Sequence, residues 1–200
     1  SNTTAGRTRK RAHEIRTSSM KLYQAPVLAA FGLALCLAQP ALAQIVRTPV
    51  GAVNATIDGT PYSGETIDVP SEGTSTAEFR SFGPVTSISI QAHDPEAESI
   101  MRNVLSVEVS LMGSDASASI MDASVSWWPA GMSEPFYLSE DSGMAPDLVF
   151  DSLSLEDGAA AAQGSFSAVI CRRDSMFADA DTSDCRQVEG SFDTALRKAD

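Results

Sequence analysis

The sequence predicts an all-β domain: an antiparallel β-sandwich of about eight strands, ending in a hairpin stapled by a disulfide, with a closed β-barrel as the alternative arrangement. Three observations carry this expectation. From Gln44 onward the chain is rich in Ser, Thr, Ala, Val and Ile, is punctuated by Gly, Pro and Asp, and has no sustained 3.6-residue periodicity. Leu105, Val107, Val109 and Leu111 alternate with Ser106, Glu108 and Ser110, the two-residue period of a strand with one buried and one wet face. Finally, Gly164-Ser-Phe-Ser-Ala-Val-Ile-Cys171 and Cys185-Arg-Gln-Val-Glu-Gly-Ser-Phe-Asp-Thr194 each contain a Gly-Ser-Phe triplet and a cysteine. With Cys171 facing Cys185, antiparallel pairing sets Phe166 opposite Gly190 and Phe192 opposite Gly164, each ring covering a bare glycine backbone. Cys171 and Phe166 are an odd number of residues apart, so the disulfide and the phenylalanines lie on opposite faces, the rings inward.

The elements follow in order. A first strand runs from Gly51 through Val53, Ala55 and Ile57 to Asp58-Gly59, and the chain returns through Thr66, Ile67 and Val69 after a longer loop at Pro61-Tyr62-Ser63-Gly64. A third strand is expected over 74–82, ended by Gly83-Pro84, and a fourth over 85–92, where Ile88 and Ile90 share a face. His93-Asp-Pro-Glu-Ala-Glu98 reads as a polar loop, with a helical turn near 99–102. The strand 105–111 turns at Gly113-Ser-Asp115 and returns through Met121, Ala123, Val125 and Trp127. Pro129 stops it, and 130–146 reads as a long loop carrying Phe136, Tyr137 and Leu138 back to the body. A strand at 148–155 and a turn at Asp157-Gly158 lead into the stapled hairpin. A parallel sheet would need crossover helices, for which no segment has the pattern.

Residues 1–43 read as a basic leader and secretory signal peptide, and 44–200 as a single exported all-β domain. The apolar run from Ala25 to Ala38 is too short to span roughly 30 Å of hydrocarbon as a helix, and Ala41-Leu-Ala43 has the small-x-small form of a cleavage site. Leu33-Ala-Leu-Cys36 is a poor lipidation box because Leu35 is bulky. Cleavage removes 6 of the 14 basic residues and 1 of the 26 acidic ones, leaving a net charge of −17. So acidic a surface repels nucleic acid and anionic membranes and suits cations, basic partners or plain solubility. Stable membrane insertion is not expected after cleavage. The two remaining cysteines, even in number for an oxidising compartment, are expected to pair, placing the protein in the periplasm or outside the cell.

Catalytic chemistry finds little support in the pattern. Only His93 remains as a histidine after cleavage, there is no Gly-x-Ser-x-Gly elbow, and a water-facing loop is the plainer account of that residue. Carboxylates are so many that no pair is singled out for a hydrolase. In the acidic loop, Asp179, Asp181 and Asp184 are candidate calcium ligands, set against the plainer account in which Arg172, Arg173 and Arg186 neutralise them. Trp127-Trp128 places rings on opposite faces, so an outward Trp128 near Phe136 and Tyr137 is the candidate platform for a sugar ring or apolar peptide. Tyr62 and Phe177 read as loop anchors. The leading expectation is a non-enzymatic binding module for a cell-envelope glycan or protein. A calcium-stabilised carbohydrate-binding or adhesive domain and a small carboxylate-dependent hydrolase are the alternatives.

Overall fold

The computed structural model describes residues 45–132 and 135–200. The expected leader, the expected cleavage site after Ala43, and Cys36 lie outside these residues. No helix among the described residues is long and apolar enough to cross a membrane. The strands in chain order are β1 (Thr48–Ile57), β2 (Thr60–Val69), β3 (Thr74–Ser75), β4 (Ala77–Phe82), β5 (Val85–His93) and β6 (Val104–Met112). They continue with β7 (Ser119–Trp128), β8 (Phe136–Leu138), β9 (Asp147–Ser154), β10 (Ala161–Arg173), β11 (Ala180–Ala195) and β12 (Arg197–Lys198). The all-β expectation therefore holds, and its layers belong to one hydrogen-bonded sheet. The sheet runs β12-β4-β5-β6-β7-β8-β10-β11-β1-β2-β3, with β9 alongside β10. Glu65 of β2 pairs again with His93 of β5, so the sheet curls back towards itself around a common core. All pairings are antiparallel except the short β12–β4 contact.

Local chemistry sets the turns. Ile57 pairs directly with Thr60, so Asp58 and Gly59, with φ of 48° and 77°, form the two-residue turn whose mirror-image twist suits a hairpin. The expected loop at Pro61–Gly64 is instead part of β2, and the β1–β2 hairpin is complete. Pro61 pairs with Thr56, and Tyr62 turns into the core, 6% exposed. The sequence rule that a proline marks a loop fails here because burial of the Tyr62 ring outweighs one missing ladder donor. Thr76 separates β3 from β4 by bonding sideways: its N–H donates to the Ile67 carbonyl at 2.8 Å, and its Oγ1 accepts from the Ile67 N–H at 2.8 Å.

Asp58 does more than turn the chain. Its backbone N–H donates to the Gln187 carbonyl at 2.8 Å, its Oδ1 accepts from the Gln187 N–H at 3.0 Å, and Arg186 donates to Oδ2 at 3.1 Å. The Gln187 N–H first, and the Arg186 guanidinium second, hold its pKa below the ordinary aspartate value. A lowered folded-state pKa contributes stability above the unfolded pKa, and that stability is lost as pH falls through the folded one. Asp58→Asn keeps the turn preference for positive φ while removing the charge. We expect the variant to be less stable than the parent at neutral pH and to converge with it in acid; urea midpoints that differ equally at both ends of the range would contradict this account.

The inward face of every long strand feeds a shared core. Val53, Ile88, Ile90, Leu105, Val107, Leu111, Val125, Ile170, Val188 and Phe192 are each at most 2% exposed. The 105–111 alternation and its return through Val125 and Trp127 are realised in register, with Leu105 opposite Trp127 and Val107 opposite Val125. The stapled hairpin also has the expected register: Gly164 faces Phe192, Phe166 faces Gly190, and Cys171 faces Cys185, joined as a disulfide. Phe166 and Phe192 belong to the core. Cys171, on the face opposite Phe166 by strand alternation, is only 1% exposed, and the turn Glu140–Ser142 packs against the same strand.

Candidate functional site

The chain brings aromatic side chains together at one end of the curled sheet, where β1 turns into β2, β6 begins and β7 ends. A cavity of about 320 Å³ there is lined by Tyr62, Trp127 and Tyr137 together with Asn103, Asp58 and Arg186. Trp127 and Tyr137 are directly paired across β7 and β8 with ring centroids 5.3 Å apart. Arg186 lies 5.6 Å above the Tyr137 ring and is bracketed by Asp58 and Asp184, each at 3.1 Å.

The walls are held by polar groups that satisfy one another. The Tyr62 hydroxyl donates to the Ala92 carbonyl at 2.9 Å and lies 3.1 Å from the Asn103 carbonyl; burial pushes its pKa far up, so it stays a neutral donor. The Trp127 indole N–H donates to Asn103 Oδ1 at 2.9 Å, and the Asn103 amide donates to Asp94 Oδ2 at 2.6 Å. Asn103 adopts φ of 54°, a left-handed conformation that asparagine tolerates better than most side chains. These contacts hold the Tyr62 and Trp127 rings in place.

The three aromatic residues singled out from sequence do not form one surface. Trp128 does face outward, but it stacks on Phe136, centroids 4.2 Å apart and planes 19° apart, and Phe136 is fully buried. Tyr137 points to the opposite side and joins Trp127. The segment expected to be a loop carries β8, and adjacent residues of a strand diverge, which is why Phe136 and Tyr137 part company. Phe177, expected as an anchor, is fully exposed at the tip of the β10–β11 loop.

Of the expected acidic loop, Asp181 and Asp184 in fact belong to β11, and the segment is laced by its own polar contacts. Asp181 Oδ1 accepts from the backbone N–H and hydroxyl of Ser183 at 2.9 and 2.6 Å, which lowers its pKa. Asp184 faces Arg186 and Arg172, at 3.1 and 3.6 Å, and accepts from the Tyr137 hydroxyl at 3.3 Å, while Asp179 is exposed. Arg173 instead grips Asp141 with two donors. Among the described residues no group of three or more His, Cys, Asp or Glu side chains is arranged to hold a metal ion.

His93 departs furthest from expectation. It is the last residue of β5, 5% exposed, not a water-facing loop residue. The loop from Ile100 to Asn103 folds over it, and its Nδ1 lies 2.6 Å from the Ile100 carbonyl. The ring helps to line a hollow of about 180 Å³ on the outer face of β5–β7, together with Met101, Ser106, Glu108, Trp128 and Met132. A third hollow, about 350 Å³ at the opposite end of the sheet, is lined by Val50, Asp68, Asp157, Leu196 and Arg197 among others, and the two Arg197 donors already grip Asp68 at 2.8 Å each.

Sequence reasoning missed Tyr62, Asn103, Trp127 and Arg186 as cavity residues, and His93 with its methionines. Asn103 carried no signal at all, being a single polar residue before a strand. Trp127 did, since its inward face was legible, but a ring pointing inward at a strand's end lines a cavity only if the sheet curls. The chain matches no protein-family model, and no curated protein and no solved structure is detectably similar to it.

Proposed function

We propose that this chain is a non-catalytic binding module of the cell envelope, periplasmic or extracellular, whose end cavity takes a neutral sugar-like ring from a glycan. The carrying observation is the pre-built aromatic cavity lined by Tyr62, Trp127 and Tyr137, with Arg186 paired to Asp58 and Asp184 beside it and Arg172 also reaching Asp184. Its volume, about 320 Å³, is at the small end of ligand sites and suits one ring. Aromatic faces stack on the C–H face of a sugar, and at the Arg186 ion pairs the guanidinium N–H groups are donors and the Asp58 and Asp184 carboxylate oxygens are acceptors for hydroxyls, without selecting an anion. Export is supported by the Cys171–Cys185 disulfide and by the expected signal peptide. The hydrolase alternative draws less support, because Asp58 is held ionised by its partners, the opposite of what a proton-donating acid needs.

Tryptophan emission is the direct test. Titration with neutral oligosaccharides is expected to quench it, Tyr137→Ala to abolish the response, and Trp128→Phe to leave it intact. A panel of such glycans without effect, or a response that survives Tyr137→Ala, overturns the reading.

A further inference from the structure

The outer hollow at His93 has a chemistry unlike the end cavity. The Ile100 carbonyl is an acceptor only, so the 2.6 Å contact requires the proton on Nδ1 of His93. With that proton on Nδ1, the neutral ring is the tautomer that leaves Nε2 unprotonated. Nε2 therefore carries a lone pair, and it is the buried side-chain polar atom that has no hydrogen-bond partner among the described residues. Burying such an acceptor unpaired is costly, and native structures rarely leave it so without a reason. An imidazole whose Nδ1–H is anchored on a backbone carbonyl while Nε2 stays open is the form in which proteins present histidine to a metal.

The rest of the wall decides which metal. Met101 and Met132, from two different loops, line the same hollow, and they are 48% and 59% exposed. The loops are sewn together: the Asn103 N–H donates to the Pro129 carbonyl at 3.1 Å, and the Met101 carbonyl passes within 3.7 Å of where a Gly131 side chain would start. Gly131 has φ of 103°, a conformation that other residues rarely adopt, so the approach of the two loops depends on glycine. Thioether sulfur is a soft, uncharged ligand that favours Cu(I) and its heavier relative over Zn, Ca or Mg ions, and an imidazole suits copper as well. Trp128 also lines the hollow, its indole N–H held by Ser126 Oγ at 3.0 Å, and an indole face attracts a nearby cation.

We propose that this hollow binds one soft monovalent metal ion, Cu(I) or Ag(I), through His93 Nε2 and the thioethers of Met101 and Met132, beside the Trp128 ring. The site is independent of the glycan cavity, so either reading stands if the other fails. The strongly acidic surface draws cations towards it, and Cys171 and Cys185, being joined to each other, do not compete as thiolates.

Silver nitrate in chloride-free buffer is the first probe, followed by Cu(I) held in ascorbate against a chromogenic Cu(I) chelator. One equivalent is expected to bind and to quench Trp128 emission, a signal absent in Trp128→Phe. Met101→Leu with Met132→Leu is expected to weaken binding by at least about tenfold, since losing even an outer partner of a metal ligand costs about that much. Met144→Leu with Met176→Leu, equally exposed but outside the hollow, is the matched control and is expected to change nothing. His93→Gln is expected to weaken binding as well, and because both methionines are exposed, the leucine pair remains decisive should the histidine variant unfold. X-ray absorption of the copper form should show sulfur and nitrogen scatterers together. No binding of either ion, undiminished 1:1 binding in the Met101/Met132 leucine pair, or equal loss in the control pair overturns the proposal.

Discussion

Phe192→Ala is expected to cost about 3–5 kcal/mol in urea unfolding, the usual range for removing a fully buried phenylalanine. The ring is 2% exposed, meets Phe150 edge-on with centroids 5.6 Å apart, and lies over Gly164, where a methyl carbon would come within 2.7 Å of it. Gly164 itself is closed to substitution for a second reason: a Cβ there would overlap the Val149 carbonyl oxygen of the neighbouring β9. Gly164→Ala is therefore expected to destabilise strongly, and Phe192→Ala is expected to relieve only part of that loss, because the clash with backbone remains. A double-mutant cycle reads this out. Full rescue of Gly164→Ala by Phe192→Ala would show that the ring alone excludes the methyl group. The reciprocal site behaves differently, since a carbon at Gly190 meets Phe166 and the side chain of Ala55 as well as the Asn54 carbonyl, at 2.7 to 2.9 Å.

Removing the staple is the second large effect. Cys171→Ala with Cys185→Ala is expected to lower stability by about 3 kcal/mol, the chain-entropy value for a loop of this size. The residues face each other in an unbroken ladder from Gln163 to Cys171, and the ladder shifts register only beyond them. The folded strands therefore hold the cysteine positions in place with or without the bond, and the loss is expected to come from a freer unfolded chain. The double variant should keep the parent's near-ultraviolet circular dichroism while its urea midpoint falls; loss of that signal in water would mean that the disulfide organises the fold itself.

Much of the architecture was legible because strands announce themselves locally. Alternation at 105–111 needs no partner to be recognised, and the two Gly-Ser-Phe triplets with their cysteines admit one register that matches ring to glycine and sulfur to sulfur. Asp58-Gly59 marked its turn, but the completeness of the hairpin did not follow from it. Pro61 and the polar Ser63-Gly64 suggested a loop, whereas pairing with β1 and the burial of Tyr62 keep that stretch extended. The acidic loop was half legible: the arginines at its base were visible, but their division was not. Arg172 and Arg186 take Asp184, whereas Arg173 reaches Asp141, 32 residues earlier in the chain.

By itself, then, the sequence determined the β class, the C-terminal register, the inward face of each clear strand and the expectation of an exported, acidic domain. These are properties of period and spacing along the chain, and they survive whatever the strands pack against. Only the tertiary structure decided that Trp127 and Tyr137 meet Tyr62 around a cavity while Phe136 leaves with Trp128. It alone tied His93 to the Ile100 carbonyl and brought two methionines from separate loops to the same hollow. Those outcomes depend on how far the sheet curls and on which loop folds over which strand end, and both are set by contacts between residues tens of positions apart, which leave no periodic trace in the chain.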